Sequence, residues 1–389
     1  MTERIARAYD DLATHLHKGR VTVLCGPRRV GKTNLVQHYL DSVPGRTLSA
    51  VGDDIVVRNL LSSQDLAAIL AWAEGYSRVF IDEAQRIPDV GWALKMLIDA
   101  RPNLDIIVTG SASLKLSGTL GEPLTGRQTQ LTLYPVSLGE LAATMNASEL
   151  RRGLDDMLIY GMYPEVRTAG NARRREILRE LVASYLLKDA LELERVKSPR
   201  ALVDLLTLVA LQVGSLVSLN ELAQQVGLDV KTVARYLDLL EKSFVLVNLR
   251  GFSRNLRSEV TRTSKWYFYD VGVRNGLLNN FNPLSARNDV GALWENFCVI
   301  ERMKFLGYKG IGASLRFWRT WQQREIDLIE DHDGRLGAYE FKWAPGAKAR
   351  APKAFSDAYP DAGFAVVTPS NYLDFAGVTD ASGLIPDAR

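Results

Sequence analysis

One stretch of the sequence decides the fold of its N-terminal part, and it reads Gly26-Pro27-Arg28-Arg29-Val30-Gly31-Lys32-Thr33. It fits the pattern G-x-x-x-x-G-K-[ST] at every fixed position. The residues before it, Val21–Cys25, are apolar without polar alternation, which is typical of a buried parallel strand. The residues after it, Asn34–Leu40, predict a helix. The glycine loop (residues 26–33) therefore stands between a strand and a helix, which is the context that this pattern requires.

The glycine loop has the chemistry of a phosphate site. Gly26 and Gly31 let the backbone curl so that successive N–H groups point at phosphate oxygens, and the helix N-terminus adds its positive dipole end. We expect Lys32 to reach the β- and γ-phosphates of ATP and the Thr33 hydroxyl to ligate Mg²⁺. The residues expected to contact the nucleotide are Gly26, Pro27, Arg28, Arg29, Val30, Gly31, Lys32, Thr33, Asn34 and Asp82.

A second apolar run, Arg78–Asp82, ends in two adjacent carboxylates, Asp82 and Glu83. At the carboxyl end of a strand, Asp82 would hold the Mg²⁺ shell together with Thr33. Glu83, one residue farther, would orient or deprotonate the attacking water. Two adjacent acids favour hydrolysis over binding alone. The alternative is a strand that ends in a solvated acidic turn.

These two motifs and two later ones together resemble one group of AAA+ proteins. The later ones are the strand end Thr109–Ser113 and the pair Gly126-Arg127, which is followed by Leu133–Glu140. The group consists of bacterial and archaeal predicted ATPases that carry a C-terminal domain of unknown function. Its pattern has Pro-Leu-Ser-Phe-x-Glu after the Gly-Arg pair, and here Val and Leu keep the two apolar positions apolar.

The resemblance covers most of the chain, from about Val21 to Trp343, and includes Gly161–Glu165, which is similar to the family's Gly-Gly-Tyr-Pro-Glu. In an AAA+ sheet, a polar residue at the end of the third strand lies between the two phosphate motifs. There it can touch the γ-phosphate or the water. Thr109 or Ser111 could serve, and we favour Ser111.

Arg127 is a candidate arginine finger or γ-phosphate sensor, because such an arginine neutralises charge during phosphoryl transfer. If it acts on a neighbouring subunit, the protein must oligomerise, and a homo-oligomer is expected on this ground. The alternative is a structural arginine that pairs with a carboxylate, for which Glu140 is a candidate.

The middle of the chain predicts helices and then a winged helix-turn-helix. Residues 141–200 read as the helical lid of an AAA+ module. Three helices and a two-stranded wing follow. The predicted elements are Leu202–Val213, Asn220–Gly227, Val230–Lys242, Phe244–Leu249 and Lys265–Asp270.

A local excess of positive charge accompanies this pattern. From Lys231 to Arg274 there are nine Lys or Arg residues and four Asp or Glu residues. We expect the third helix and the wing to contact DNA, because a recognition helix reads bases and a basic wing can contact phosphates. The alternative is a solvated basic face on a packing module. The expected DNA contacts are Lys231, Thr232, Arg235, Arg254 and Arg257.

The C-terminal part reads as helix, three strands, helix and strand, an order that resembles the core of the PD-(D/E)XK nuclease fold. The connection between the second and third of these strands is hairpin-like and can bring Asp327 beside Glu340. Strand side chains alternate faces, so Glu340 and Lys342 share one face. The predicted elements are Val290–Leu306, Leu315–Thr320, Glu325–Glu330, Gly337–Trp343, Ala351–Ala358 and Phe364–Thr368.

These C-terminal side chains have the chemistry of a metal-dependent nuclease. Asp327 and Glu340 offer hard oxygen ligands suited to Mg²⁺ or Mn²⁺. Lys342 would position the water or stabilise developing charge, and Glu295, on the first helix, would complete the cluster. The alternative is a domain that keeps these residues and serves only to bind.

The sequence thus predicts an α/β protein of four parts. Residues 1–140 form a P-loop AAA+ parallel-sheet domain and residues 141–200 a helical lid. Residues 201–275 form a winged helix-turn-helix and residues 276–389 an αβββαβ PD-(D/E)XK nuclease-like domain. One hypothesis is an ATP-hydrolysing protein that binds DNA and cleaves nucleic acid with a metal. The other is a non-nucleolytic ATPase switch or remodelling protein whose C-terminal parts scaffold an oligomer or bind a protein.

Composition sets the broad class. The chain has 389 residues, of which 47% are hydrophobic and 24% charged, and this is an ordinary globular balance. No run reaches the roughly 18 uncharged apolar residues of a membrane helix. The two cysteines do not predict a disulfide framework. We therefore expect a cytoplasmic protein without a membrane partner.

Overall fold

The computed structural model describes residues 4–110, 123–183, 198–253 and 264–379. Within those residues the chain divides into two units. The first comprises Arg7–Tyr134 and Lys242–Phe244, and the second comprises Pro135–Glu241, the residues from Val245 onward and those before Arg7. The glycine loop belongs to the first unit, and the predicted nuclease-like residues belong to the second.

The first unit is built on five parallel strands in the order β2-β3-β4-β1-β5. Parallel strands are covered on both faces, which is why β1 is buried at all five positions and reads as a continuous apolar run. Their bounds are Val21–Cys25 (β1), Thr47–Val51 (β2), Arg78–Asp82 (β3), Asp105–Gly110 (β4) and Gln128–Thr132 (β5). The helices of this unit are Lys32–Ser42 (α1), Ile55–Ser62 (α2), Leu66–Trp72 (α3) and Val90–Ala100 (α4).

The position of β4 matters for the candidate site. It lies between β1, which leads into the glycine loop, and β3, which leads into the paired acids. All three strands run in the same direction, so their carboxyl ends meet at one edge of the sheet. The predicted strands are confirmed, and so is the expectation that the third strand lies between the two phosphate motifs.

The second unit begins with helices that local caps hold in place. Ser218 accepts a hydrogen bond from the Glu221 N–H at the start of the helix Leu219–Val226, and Gly227 ends that helix with a φ of 67°. The helices are Leu138–Leu141 (α5), Ala147–Arg152 (α6), Leu154–Tyr160 (α7), Pro164–Thr168 (α8), Asn171–Leu181 (α9), Pro199–Leu211 (α10), Leu219–Val226 (α11), Val230–Lys242 (α12), Val271–Leu277 (α13), Val290–Lys309 (α14), Lys353–Ala358 (α15) and Tyr372–Phe375 (α16).

A seven-stranded sheet forms the other half of this unit, in the order β12-β11-β10-β9-β7-β8-β6. Its strands are Leu216–Val217 (β6), Leu246–Gly251 (β7), Ser264–Phe268 (β8), Ser314–Arg319 (β9), Glu325–His332 (β10), Arg335–Phe341 (β11) and Gly363–Val367 (β12). The predicted C-terminal order of helix, three strands, helix and strand is confirmed by α14, β9, β10, β11, α15 and β12. Its likeness to the nuclease core remains a hypothesis.

One pairing joins strands that the sequence predicts in two separate groups. β7, expected in the wing, pairs in parallel with β9, the first strand of the C-terminal group, through Arg250 with Arg316 and Gly251 with Phe317. Each strand would otherwise leave a row of unpaired N–H and C=O groups at a sheet edge. Pairing between strands so far apart in the chain has no local sequence signal, so sequence reasoning could not find it.

Candidate functional site

The glycine loop turns tightly between β1 and α1. Gly31 has a φ of 93°, a left-handed value that costs glycine little. A Cβ at Gly26 would overlap the carbonyl oxygen of Leu133, so this position has room only for glycine. Arg29 also has a positive φ, of 58°, as non-glycine residues in functional loops sometimes do. Both motif glycines are therefore required by the backbone path.

The Lys32 ammonium is held inside this turn. Its Nζ donates to the carbonyl oxygens of Gly26, at 2.9 Å, and Pro27, at 2.8 Å. The residue is only 6% exposed. Neutral carbonyl acceptors bind a cation less strongly than phosphate oxygens do, so an incoming phosphate can compete for this ammonium.

Two hydroxyls, one at the start of α1 and one near the end of β4, both reach Asp82. Thr33 Oγ1 donates to Asp82 Oδ2 at 2.9 Å, and Thr109 Oγ1 donates to Asp82 Oδ1. Mg²⁺ prefers oxygen ligands and is held by one or two protein groups, while phosphates and water complete its shell. The oxygens of Thr33 and Asp82 fit a nucleotide-bound Mg²⁺.

The backbone turns sharply at Glu83, directly after β3. Its φ of 53° and ψ of 42° lie in the left-handed region, which a non-glycine residue rarely occupies. Its N–H faces Asp82 Oδ1 at 3.2 Å and Thr109 Oγ1 at 3.3 Å, and its carboxylate accepts from the Gln85 side chain. A backbone conformation of this kind, next to a phosphate loop, is typical of a functional residue.

The other predicted residues of this site have different surroundings. Arg127 forms an ion pair with Asp99, and its side chain is 44% exposed. Glu140, the alternative partner suggested by the sequence, instead caps helix α5 together with Ser137. Ser111 lies outside the described residues, so its place near the loop stays a prediction.

Sequence reasoning missed Arg7. Its guanidinium donates to the carbonyl oxygens of Val30, at 2.5 Å, and Tyr134, at 2.6 Å, and the residue is 9% exposed. It thereby ties the glycine loop to the segment after β5. No local pattern around Arg7 indicates this role, because both acceptors are backbone oxygens distant in the chain.

In the second unit, the predicted nuclease-like residues meet. Leu328 on β10 pairs with Tyr339 on β11, which sets Asp327 next to Glu340. Asp327 Oδ2 accepts the N–H of Phe341 at 2.8 Å, and Lys342 Nζ donates to Glu340 Oε1 at 2.7 Å. The register of β10 on β9 shifts between Ile326 and Ile329, and such irregularities often re-aim a side chain beside a functional site.

A lysine that the sequence did not single out lies within this group. Lys265 Nζ, on β8, lies 2.9 Å from Glu295 Oε1, 2.5 Å from Glu325 Oε1 and 3.9 Å from Asp327 Oδ1. The Tyr267 hydroxyl also donates to Glu295 Oε1, at 2.6 Å. The available signal was a lysine and a tyrosine two residues apart, on one face of an apolar strand. The carboxylate cluster is defined here as Glu295, Glu325, Asp327 and Glu340.

The electrostatics of the cluster follow from its burial. Burial, then the charges of Glu295 and Glu340, raise the pKa of Asp327 to about 8, against the opposing effect of Lys265. Burial acts to lower the pKa of Lys265, but the carboxylates of Glu295, Asp327 and Glu325 outweigh it and raise that pKa above its ordinary value. Asp327 therefore keeps its proton over much of the neutral range.

The residues of the cluster do not fit a divalent metal in this arrangement. No group of three or more His, Cys, Asp or Glu side chains among the described residues is positioned to hold one. An ammonium lies among the carboxylates, and Asp327 and Glu340 each accept a hydrogen bond from a protein donor. The predicted Mg²⁺ or Mn²⁺ at Asp327 and Glu340 thus lacks support in the geometry.

The predicted DNA contacts lie in part on α12. Lys231 and Arg235 are exposed one helical turn apart. Thr232 is engaged locally, because its N–H and hydroxyl donate to the Asp229 carboxylate at 2.9 and 2.6 Å. Arg254 and Arg257 lie outside the described residues. The described helices also include none that is long and apolar enough to cross a membrane.

Three protein families match along the chain. Residues 18–142 match the AAA domain, residues 151–284 a Domain of unknown function (DUF8612), and residues 290–380 a Domain of unknown function (DUF4143). An uncharacterized protein of Mycobacterium tuberculosis is 30% identical over 334 residues, which are 84% of this chain and 71% of that protein. An uncharacterized protein of Mycobacterium bovis matches to the same extent.

The chain belongs to the family of these mycobacterial proteins. An uncharacterized protein of Haemophilus influenzae is 26% identical over 334 residues, which are 79% of each chain. The AAA match contains the glycine loop, both paired acids and Arg127, and it supports nucleotide binding and an ATPase. The C-terminal match is compatible with the predicted family resemblance but leaves its link to nucleases untested.

Two solved structures were also similar at a low level. One is a signal transduction ATPase with numerous domains (STAND) with a tetratricopeptide repeat sensor, from Pyrococcus horikoshii. It is 13% identical, with a TM-score of 0.27, over 75% of this chain and 45% of that one. A protein from Vibrio cholerae is 12% identical, with a TM-score of 0.17, over 88% and 99% of the two chains. Similarity this low carries no argument about either unit.

Proposed function

We propose that this protein binds ATP with Mg²⁺ in the glycine loop and hydrolyses it. The observation that carries the proposal is the convergence of Thr33 and Thr109 on the Asp82 carboxylate, beside a loop that already encloses the Lys32 ammonium. The match of residues 18–142 to the AAA domain supports it independently.

Each side chain then has a distinct task. Lys32 neutralises the β- and γ-phosphates, Thr33 and Asp82 hold Mg²⁺, and Glu83 orients or deprotonates the attacking water. Ser111 or Thr109 contacts the γ-phosphate or that water. Arg127 stabilises the charge of the transferred phosphoryl group, and in doing so it must exchange Asp99 for phosphate.

Phosphate release from ATP by the full chain tests this proposal. The wild type is compared with Glu83→Gln, and Glu74→Gln serves as a control on an exposed carboxylate of the same unit. Glu83→Gln should bind ATP as the wild type does but release phosphate at least about a hundredfold more slowly, because general acid–base groups contribute roughly 10²–10⁴ in rate. Normal turnover by Glu83→Gln would reject Glu83 as the catalytic base.

A second candidate function is DNA binding with metal-dependent cleavage of nucleic acid by the second unit. The observation that favours it is the meeting of Asp327, Glu340 and Lys342 on two neighbouring strands, and it requires that Lys265 leave the cluster before a metal binds. The test is cleavage of single-stranded DNA, double-stranded DNA and RNA with Mg²⁺ or Mn²⁺, with and without ATP. Cleavage that both Asp327→Ala and Lys342→Ala abolish would support this function.

The alternative to cleavage is a non-nucleolytic ATPase switch, and a different observation favours it. The Lys265 ammonium already pairs with carboxylates of the cluster, so the cluster can serve as a structural element of a binding or scaffolding unit. Vigorous ATP hydrolysis without cleavage of any of the three nucleic acids would support the switch. An Arg127 that acts on a neighbouring subunit would make that switch a homo-oligomer.

A further inference from the structure

The Lys265 ammonium is enclosed on every side that the described residues define. The Lys265 side chain extends from β8 toward Glu295 on α14 and toward two carboxylates on β10, Glu325 and Asp327. It also lies 5.7 Å from the centre of the Phe317 ring on β9, within the range of a cation–π contact. The residue is 2% exposed. Three elements of the second unit, α14, β9 and β10, thus surround one buried cation that extends from a fourth, β8.

Carboxylates satisfy most of the donors of this ammonium. A protonated lysine has three N–H groups and no acceptor. Two of them are satisfied by Glu295 and Glu325 at hydrogen-bond distance. Asp327 Oδ1 lies 3.9 Å from the ammonium, beyond hydrogen-bond distance. A buried ammonium is tolerated only when it is paired and hydrogen-bonded in this way. Lys265 therefore belongs to the folded core of the second unit, not to its surface.

Every carboxylate of the cluster also has a partner from the protein. Glu325 accepts from Arg319 at 2.7 Å as well as from Lys265, and Glu340 accepts from Lys342 at 2.7 Å. Asp327 accepts from the Phe341 N–H. Lys265, Arg319 and Lys342 thus all face the cluster, so little uncompensated negative charge remains to attract a dication.

We propose that Lys265 takes the place of the divalent cation in this carboxylate cluster, so that the cluster excludes Mg²⁺ and Mn²⁺ as long as Lys265 stays there. A dication brought to Asp327 and Glu295 would face an ammonium a few ångströms away, and two like charges at that distance repel strongly in a buried site. The inference concerns the second unit alone and does not rest on ATP hydrolysis.

Direct Mn²⁺ titration of the nucleotide-free full-length protein, followed by electron paramagnetic resonance, tests this inference. The variants are Lys265→Met, which removes the ammonium and keeps the chain length, and Lys342→Met, a control that removes a half-exposed ammonium from the edge of the cluster. Asp327→Asn, alone and combined with Lys265→Met, identifies Mn²⁺ bound at the cluster as opposed to the glycine loop.

The wild type and Asp327→Asn should bind Mn²⁺ alike, because the cluster takes none. Lys265→Met should gain one bound Mn²⁺ that the wild type lacks, owing to the removed repulsion, and the double variant should lose it. Lys342→Met should gain less. A wild-type site that Asp327→Asn abolishes, or a folded Lys265→Met that gains no site, overturns the inference.

Circular dichroism checks that each variant is folded. If Lys265→Met fails to fold, the comparison of the wild type with Asp327→Asn still decides, since it needs no change at Lys265. A Mn²⁺ site present in the wild type and missing in Asp327→Asn would contradict the inference. Equal binding by the two proteins would support it. Loss of ATP hydrolysis would change neither result, because nucleotide is absent.

Discussion

The Thr33 hydroxyl, in the first turn of α1, lies 2.9 Å from Asp82 Oδ2, at the end of β3, and donates a hydrogen bond to it. The two residues come from different motifs, and each would hold Mg²⁺ in the proposed reaction. Because these two groups already touch, Mg²⁺ can enter with little rearrangement. Only the Thr33 hydroxyl must turn its proton away from Asp82 Oδ2. Preorganised groups of this kind are what phosphoryl transfer depends on.

Replacement of Thr33 by Val tests this contact. Val keeps the shape of Thr but removes the hydroxyl, so the variant should keep its fold and lose at least about tenfold in ATP hydrolysis with Mg²⁺. Steady-state phosphate release measures the effect. Thr14→Val, at an exposed threonine of the same unit, should hydrolyse ATP as the wild type does. Equal rates for Thr33→Val and the wild type would remove Thr33 from the magnesium site.

Replacement of Lys32 by Ala should abolish tight ATP binding. The variant loses the ammonium that the loop encloses, and with it the charge that faces the β- and γ-phosphates. Isothermal titration with ATP and Mg²⁺ measures the affinity. Lys18→Ala, at an exposed lysine of the same unit, is the matched control. An unchanged dissociation constant for Lys32→Ala would refute the assignment of the loop to phosphate binding.

Replacement of Arg7 by Ala should weaken the glycine loop. It leaves the carbonyl oxygens of Val30 and Tyr134 without this donor, and a buried group left unsatisfied costs about 1–3 kcal/mol. We expect a lower free energy of unfolding, measured with urea, and a higher KM for ATP. Arg20→Ala, on an exposed arginine nearby in the sequence, should change neither quantity. A variant as stable as the wild type, with the same KM, would show that Arg7 does not brace the loop.

Replacement of Asp327 by Asn should change how stability depends on pH. Asp327 ionises near pH 4 in an unfolded chain but near pH 8 in the folded protein. The folded state binds more protons between these values, so the wild type loses stability as the pH rises through this window. The Asn variant cannot ionise there and should lose less.

Urea unfolding at pH 5, 6.5 and 8, values chosen to span about that window, measures this difference. Asp333→Asn is the control, because its side chain is 90% exposed in the turn after β10. The wild type and Asp333→Asn should lose stability in parallel, and Asp327→Asn should diverge from both toward pH 8. Three parallel curves would contradict a raised pKa for Asp327.

Local patterns predicted much of this structure. The glycine loop, the apolar runs of β1, β3 and β4, and the helix Val230–Lys242 each depend on residues close in sequence, and the structure has them where expected. The sequence also predicted correctly that Asp327 lies beside Glu340, since a short hairpin connection sets their register. In each case the residues that determine the structure lie within a few helical turns or one hairpin of each other.

The remainder depends on contacts between distant segments. Lys265 reads as one more basic residue of a charged stretch, yet it is buried against Glu295 and Glu325. Its burial is decided by the pairing of β7 with β9, which brings β8, the neighbour of β7, into one sheet with the C-terminal strands. Arg7 is a similar case, because its acceptors are backbone oxygens that any residue type supplies.

The parallel pairing of β7 with β9 also bears on how this chain can be divided. A cut between α13 and α14 would separate two strands of one sheet and expose the edge of each. It would also leave Glu295, Glu325 and Asp327 without the ammonium that lies among them. A fragment that starts at α14 is therefore a poor choice for separate expression, and the sheet is expected to unfold in one cooperative step.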